Sequence, residues 1–258
     1  MRYIKKFKLF EADHAYHRIL DLNYSFKLYK VADKIWCVVA PDAVTLCSTF
    51  LRCQEYYESS NPIFQFNKFK KVDYIKWYKD DFSKSTDFHY HLDWAGFNLP
   101  SESIKKCMSS VDDTDDWDRI MQSIINTIEK TETGRWYLLG VSELDVTDPF
   151  STLAHEMAHG MFYIDAAYNA EMKKLISEMP EDGKKAFQDE IINLGYAESS
   201  LIDETQAYLS TGITKEMKDR LDEFKYDVAK RKAFRDVFAK YIGNHMIKKP
   251  KSVKIDFI

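Results

Sequence analysis

The sequence predicts an α+β fold, with a small mixed sheet in the N-terminal half and a helix-rich C-terminal half. Three observations predict it. Residues 24–30 (YSFKLYK) and 34–40 (KIWCVVA) alternate or run apolar around a short Ala-Asp turn, and read as paired strands. Residues 135–143 (RWYLLGVSE) form the clearest strand of the second half. From Asp148 onward the apolar spacing is almost wholly helical.

The elements follow in order. Pro41 and Asp42 open a helix that runs to about Ser59, with Val44, Leu46, Cys47, Phe50 and Leu51 on its inner side. Residues 64–79, rich in Phe, Tyr, Trp and Lys, fit neither period. Residues 88–93 (FHYHLD) alternate as a strand does, and Asn98-Leu99-Pro100-Ser101 starts a short helix with Glu102 in its first turn. The acidic run 111–118 (VDDTDDWD) precedes a helix to about Lys130. It lacks the calcium-loop pattern and reads as carboxylates favoured by a helix dipole. In the C-terminal half, breaks are expected at Pro180–Gly183, near Gly195 and at Gly212. Ile213, Met217, Leu221, Phe224 and Val228, then Phe234, Val237, Phe238 and Tyr241, recur at helical spacing as core stripes. The basic tail Lys248–Lys254 reads as a solvated end.

Composition bounds the function. A chain of 258 residues holds one or at most two domains. Residues 1–110 form an N-terminal α/β region without an assigned role, and residues 111–258 a second region packed with it as one unit. Hydrophobic residues at 45% and charged residues at 30% describe a globular chain rather than a disordered one. A formal net charge of −4 argues against a nucleic-acid binder. Only 8 glycines are present, and neither phosphate-binding glycine motif occurs. Cys37, Cys47, Cys53 and Cys107 form no C-x-x-C and read as buried thiols of a reducing compartment. There is no signal-peptide pattern and no apolar run of the roughly 18 residues a membrane span needs, so a cytoplasmic protein with no membrane partner is expected.

Residues 155–159 read His-Glu-Met-Ala-His, an H-E-x-x-H. On a helix the two His differ by about 40° in direction and one turn in height, so both imidazoles reach one zinc ion. Glu156 stands about 60° beyond His159. That is beside the metal, where it takes a proton from an attacking water. Asp148 suits an N-cap and Pro149 a first helical position. Leu153, Met157, Met161 and Ile164 cluster opposite the His pair, so the helix can bury its back while its metal face lines a cleft.

With Thr152 three residues before the first His and uncharged residues around the pair, Thr152–Met161 resembles the extended motif of zinc metallopeptidases with the zincin fold. The resemblance covers this helix, the strand before it and one later helix. It implies a zincin-like architecture around the H-E-x-x-H helix, one catalytic Zn2+, and a third protein ligand with one position left for water. The metzincin branch would place that ligand at Asp165, but Phe162 stands where its glycine belongs. The helix is then expected to continue, turning Asp165 about 120° from His159. The gluzincin branch takes a Glu from a second helix. Asp203-Glu204-Thr205-Gln206-Ala207-Tyr208 resembles that helix, which makes Glu204 the preferred third ligand, Asp203 a partner of a ligating His, and Glu198 the reserve. The thermolysin-type Asn-Glu-x-x-Ser-Asp is absent. The resemblance also implies that strand 135–143 forms a sheet edge along which substrate adds as a strand.

Tyr208 and Tyr163 offer hydroxyls for an oxyanion, Tyr208 first. His89 with His91, and His14 with His17, are spaced to bind a second metal, and His245 sits near a helix end. The expectation is a zinc-dependent metallopeptidase: His155, His159 and Glu204 hold zinc, and Glu156 is the general base toward a peptide or protein substrate. The alternatives are a non-catalytic zincin-like binding protein with a structural or absent metal, or an enzyme for another amide. A purely structural site has no use for a base at Glu156.

Overall fold

The computed structural model describes residues 26–143, 149–223 and 228–257. Strands β1 (Lys27–Ala32) and β2 (Ile35–Ala40) form an antiparallel hairpin. Its turn is Asp33-Lys34, one residue later than the Ala-Asp turn expected, because Ala32 still belongs to β1; Lys34 takes φ 58°, the left-handed conformation a tight hairpin requires. Helix α1 (Ala43–Glu58) follows, and the Asp42 carboxylate accepts from Thr45 N at 2.7 Å, as its N-cap position leads one to expect. The ambiguous aromatic stretch contains α2 (Lys71–Trp77) and a π-helical turn, Tyr78–Phe82.

The sequence reading is corrected at the next element. Residues 88–93 are not a strand; Tyr90–Leu92 makes a single 3-10 turn. The strand is β3 (Gly96–Pro100), and α3 (Ser101–Ser110) begins only after it. Pro100 ends the strand, and Ser101 Oγ accepts from Trp136 N at 3.1 Å across to the next segment. The alternation of 88–93 came from Phe88, Tyr90 and Leu92 around a turn, whereas the shorter Phe-Asn-Leu run pairs.

Helix α4 (Asp116–Glu129) starts with a reciprocal capping box between Asp115 and Asp118. Strand β4 (Tyr137–Ser142) leads to α5 (Pro149–Ile164), whose expected N-cap, Asp148, lies outside the described residues. The remaining elements are α6 (Ala166–Ser177), α7 (Glu181–Asn193), α8 (Leu201–Thr211), α9 (Lys215–Glu223), α10 (Val228–His245) and the two-residue β5 (Ser252–Val253). The expected breaks fall close to these boundaries, except that Gly183 lies inside α7. Phe224 lies outside the described residues.

The sheet order is β3-β4-β2-β1-β5. β2 and β4 are parallel, and all other pairs are antiparallel. β4 is therefore interior, and the expectation that it forms the edge is wrong: among the described residues, the edge beside the H-E-x-x-H helix is β3. Strict alternation along β4 sends Leu138 and Gly140 to one face and Tyr137, Leu139 and Val141 to the other. On the first face, a Cβ at Gly140 would lie 2.6 Å from Phe50, so only glycine lets α1 approach this closely. On the second face lie α5 and the C-terminal helices, through Met157, Met161, Tyr168, Met172, Phe187, Met217 and Phe234. Strands β1 to β3 precede residue 110 and β4 and β5 follow it, so one sheet draws on both expected regions. All four cysteines are free and buried. Among the described residues, no helix is long and apolar enough to cross a membrane.

Candidate metal centre

Helix α5 lies across the sheet with Met157 and Met161 buried, and Leu153 and Ile164 half-buried against the same core. Its opposite side carries His155, Glu156 and His159. Helix α8 crosses α5 there. Ala158 and Ala207 are fully buried, and Glu204 is 1% exposed.

Three side chains converge. His159 Nε2 lies 3.3 Å from His155 Nε2 and 3.4 Å from Glu204 Oε1, and His155 Nε2 lies 3.5 Å from Glu204 Oε2. Donors around a tetrahedral zinc at bond lengths of about 2.0–2.1 Å sit about 3.3–3.4 Å apart. The two His–Glu distances run to different oxygens of Glu204, and one ligand atom from each side chain lies within 4.8 Å of the others, so a small turn of the carboxylate closes all three on one ion. Glu204 Oε2 is buried and has no hydrogen-bond partner, an orphaned acceptor of the kind a cation satisfies. The two-imidazole, one-carboxylate set suits zinc. Among the described residues, His155, His159 and Glu204 are the group of His, Cys, Asp and Glu side chains that meets this requirement.

The far sides of both rings are held. Thr211 Oγ1 donates to Ala207 O at 2.8 Å, so toward His155 Nδ1, 3.3 Å away, it acts as acceptor. That keeps the proton on Nδ1 and leaves Nε2 as a lone pair facing the cluster. Asp203 Oδ1 lies 2.9 Å from His159 Nδ1, an ion-pair contact out of line for a hydrogen bond, and sets a negative charge behind the ring. Asp203 is itself fixed by Gln206 Nε2 at 2.9 Å, and Gln206 by the Tyr168 hydroxyl at 2.7 Å. Burial lowers the affinity of the His159 ring for a second proton, but Asp203 and Glu204 outweigh it and hold the pKa well above the usual histidine value.

Glu156 is 6% exposed. Burial pushes its carboxyl up, while His155, His159 and a hydrogen bond from Asn98 pull it down; the net shift is upward. Asn98 Nδ2 donates to Glu156 Oε2 at 2.9 Å, and the Tyr137 hydroxyl donates to Asn98 Oδ1 at 2.5 Å. Gly96, on the same edge strand, faces the carboxylate so closely that a Cβ would lie 2.5 Å from Glu156 Oε1. The Tyr208 ring stacks edge-on against His155 at 4.6 Å, and its hydroxyl lies 3.2 Å from that of Tyr196. Burial pushes the Tyr208 phenol up to about 12, so it remains a donor at neutral pH.

The other candidates lie elsewhere. α5 ends at Ile164 rather than continuing, and Asp165 caps α6, accepting from Ala167 N and Tyr168 N and pairing with His245 Nε2 at 3.0 Å. Glu198 is exposed in a 3-10 turn. The Tyr163 hydroxyl donates to Glu102. His89 and His91 belong to the turn that replaces the expected strand, and His14 and His17 lie outside the described residues. The sequence reading missed Gly96, Asn98, Tyr196 and Thr211. Only Asn98 carried a signal, as an amide inside an apolar Phe-Asn-Leu run, where a buried polar group needs partners. Compared with known protein families, curated proteins and solved structures, the chain matches none.

Proposed function

We propose that the protein is a zinc-dependent hydrolase of peptide bonds with a zincin-like site. One observation carries the reading: two imidazoles and a carboxylate whose ligand atoms lie within 4.8 Å of one another, with a second buried carboxylate aimed beside them by a dedicated asparagine. His155, His159 and Glu204 hold the ion. Zinc bound there supplies Lewis acidity, polarising the scissile carbonyl and lowering the pKa of water to about 7.

The chain's own residues supply the rest. An extended peptide adds to the outer side of β3, the edge strand, with main-chain hydrogen bonds fixing its register. Glu156 takes the proton as the water oxygen bonds to the carbonyl carbon. The Tyr208 hydroxyl donates to the developing oxyanion. Glu156 then passes its proton to the leaving nitrogen as the C–N bond breaks, and no covalent link to the protein forms.

The test has two readouts. The purified chain should hold about one zinc per molecule, and Glu156→Gln should keep that zinc while losing hydrolysis of a peptide library by at least about 100-fold. A stable chain that binds no zinc, or a Gln variant with unchanged turnover, would end the proposal.

A further inference from the structure

A concavity of about 200 Å³ opens between α1, α2 and the Leu194-Gly195 turn. Three carboxylates line it: Glu55, Glu58 and Asp93. Their hydrogen-bond donors are all neutral. The Tyr90 hydroxyl donates to Glu55 at 2.6 Å, Gln54 Nε2 donates to Glu58 at 2.9 Å, and the Tyr78 hydroxyl donates to Asp93. No Lys, Arg or His among the described residues lines the cavity. Two other buried carboxylates do meet cations: Asp118, 1% exposed, meets Arg52 and Lys71 at 3.0 Å each, and Glu132 meets Lys30. Glu55 is as deeply placed, at 4% exposed, yet has none, and burial pushes its carboxyl up to about 7. In that position hydroxyl hydrogen bonds alone support the ionised form, and a positive charge brought from outside would stabilise it further.

The remaining walls are aromatic: Tyr74, Trp77, Phe82 and Trp94. Ring faces attract organic cations, and indole does so best. A small metal ion would need several oxygens at bonding distance. An ammonium or guanidinium group on an alkyl stem instead uses both the carboxylates and the rings. The cavity also adjoins the metal centre. Trp94 packs edge-on against Tyr196 at 5.8 Å, the Tyr196 hydroxyl meets that of Tyr208, and Tyr208 stacks on His155. Trp94 stands just before Gly96, where β3 starts past Glu156.

We propose that this cavity binds an alkylammonium or guanidinium group and selects a lysine or arginine side chain in a peptide lying along β3. The first half stands alone; the second rests on the peptidase reading.

The full chain, as purified and again after chelation, is titrated with n-butylammonium, propylguanidinium and the neutral analogue butan-1-ol, following tryptophan fluorescence. Both cations should bind saturably and the alcohol at least about tenfold more weakly. Glu58→Gln should weaken cation binding about tenfold and Trp94→Leu about threefold to thirtyfold, with near-ultraviolet circular dichroism checking the fold. Equal binding of the alcohol, or no saturable cation binding by the wild-type chain, overturns the pocket. The zinc-loaded chain is then given a peptide library. Cleavage concentrated beside Lys or Arg is the expected result, and cleavage indifferent to basic residues overturns the selection while sparing the peptidase reading. Cation binding with no cleavage upholds the pocket and removes that reading instead.

Discussion

Replacing Gly96 with alanine separates the proposed base from the metal and from the fold. The backbone at Gly96 is not in the left-handed region, so alanine meets no conformational barrier there. Its methyl would lie 2.5 Å from Glu156 Oε1, 2.9 Å from Thr152 Cγ2 and 3.1 Å from Glu156 Cδ. Restoring ordinary contact moves the carboxylate by about 1 Å. The nearest atom is the end of a flexible side chain, so the steric cost falls at the low end of overpacking, about 1 kcal/mol. Losing the 2.9 Å bond from Asn98 adds about 1 kcal/mol. The melting temperature should therefore drop by about 4–8 °C. Catalysis should suffer more, since a 1 Å misplacement costs roughly 100-fold in kcat. None of the three ligand side chains is among the atoms met, so zinc affinity in a chelator competition should stay at the wild-type value. A Gly96→Ala chain with wild-type kcat would refute the assignment of Glu156. One that lost its zinc would show that β3 supports the ligands rather than the base.

Asp203→Asn should weaken zinc binding about 10–100-fold in the same competition, because it removes the charge behind His159; unchanged affinity would reduce Asp203 to an ordinary first-turn carboxylate. Glu55 gives a pH signature. Its carboxyl rises from 4.5 to about 7 on folding. The native state thus keeps a proton that the unfolded chain releases across this window, and stability falls as pH rises through it. Urea melts from pH 4 to 8 should show wild type losing on the order of 3 kcal/mol more than Glu55→Gln; parallel curves would refute the assignment. Arg52→Met strips Asp118 of three hydrogen bonds of 3.0–3.1 Å and should cost about 3–5 kcal/mol in the same assay, with a loss below about 1 kcal/mol counting against the buried pair.

What the sequence disclosed tracks the range of the interactions. The H-E-x-x-H helix was legible because its two His, its base and its buried methionines obey one local period. The hairpin, α1 and α4 were legible for the same reason, with Asp42 and the acidic run 111–118 marking where the two helices start. Glu204 was reached through the short motif around it, although its place beside His155 depends on α8 packing against α5. The sheet order was not legible: β4 has the composition of any covered strand, and only pairing partners make one strand an edge. The turn at Tyr90–Leu92 imitated a strand in composition alone: Phe88, Tyr90 and Leu92 alternate along the chain, but in the 3-10 turn Tyr90 is buried and Leu92 is exposed. The cavity lined by Glu55 and Glu58 was hidden for a related reason. Those carboxylates sit on the buried side of α1, where the periodic pattern predicts apolar residues, and the aromatic rings that enclose them come from a stretch with no period.

Asn98 shows how such long-range placement creates chemistry. It stands between Phe97 and Leu99, 7% exposed, where an amide is costly unless both ends are paired. Tyr137 donates to its oxygen, which leaves the NH2 group for Glu156. The reverse orientation would set two acceptors face to face, so the amide has a single stable position. It occupies Oε2 of Glu156 and leaves Oε1 toward Gly96, the residue without a side chain to block it. In the proposed reaction, Oε1 is therefore the oxygen that receives the proton. The edge strand sets this geometry twice, once through an amide that donates and once through a methyl that is missing.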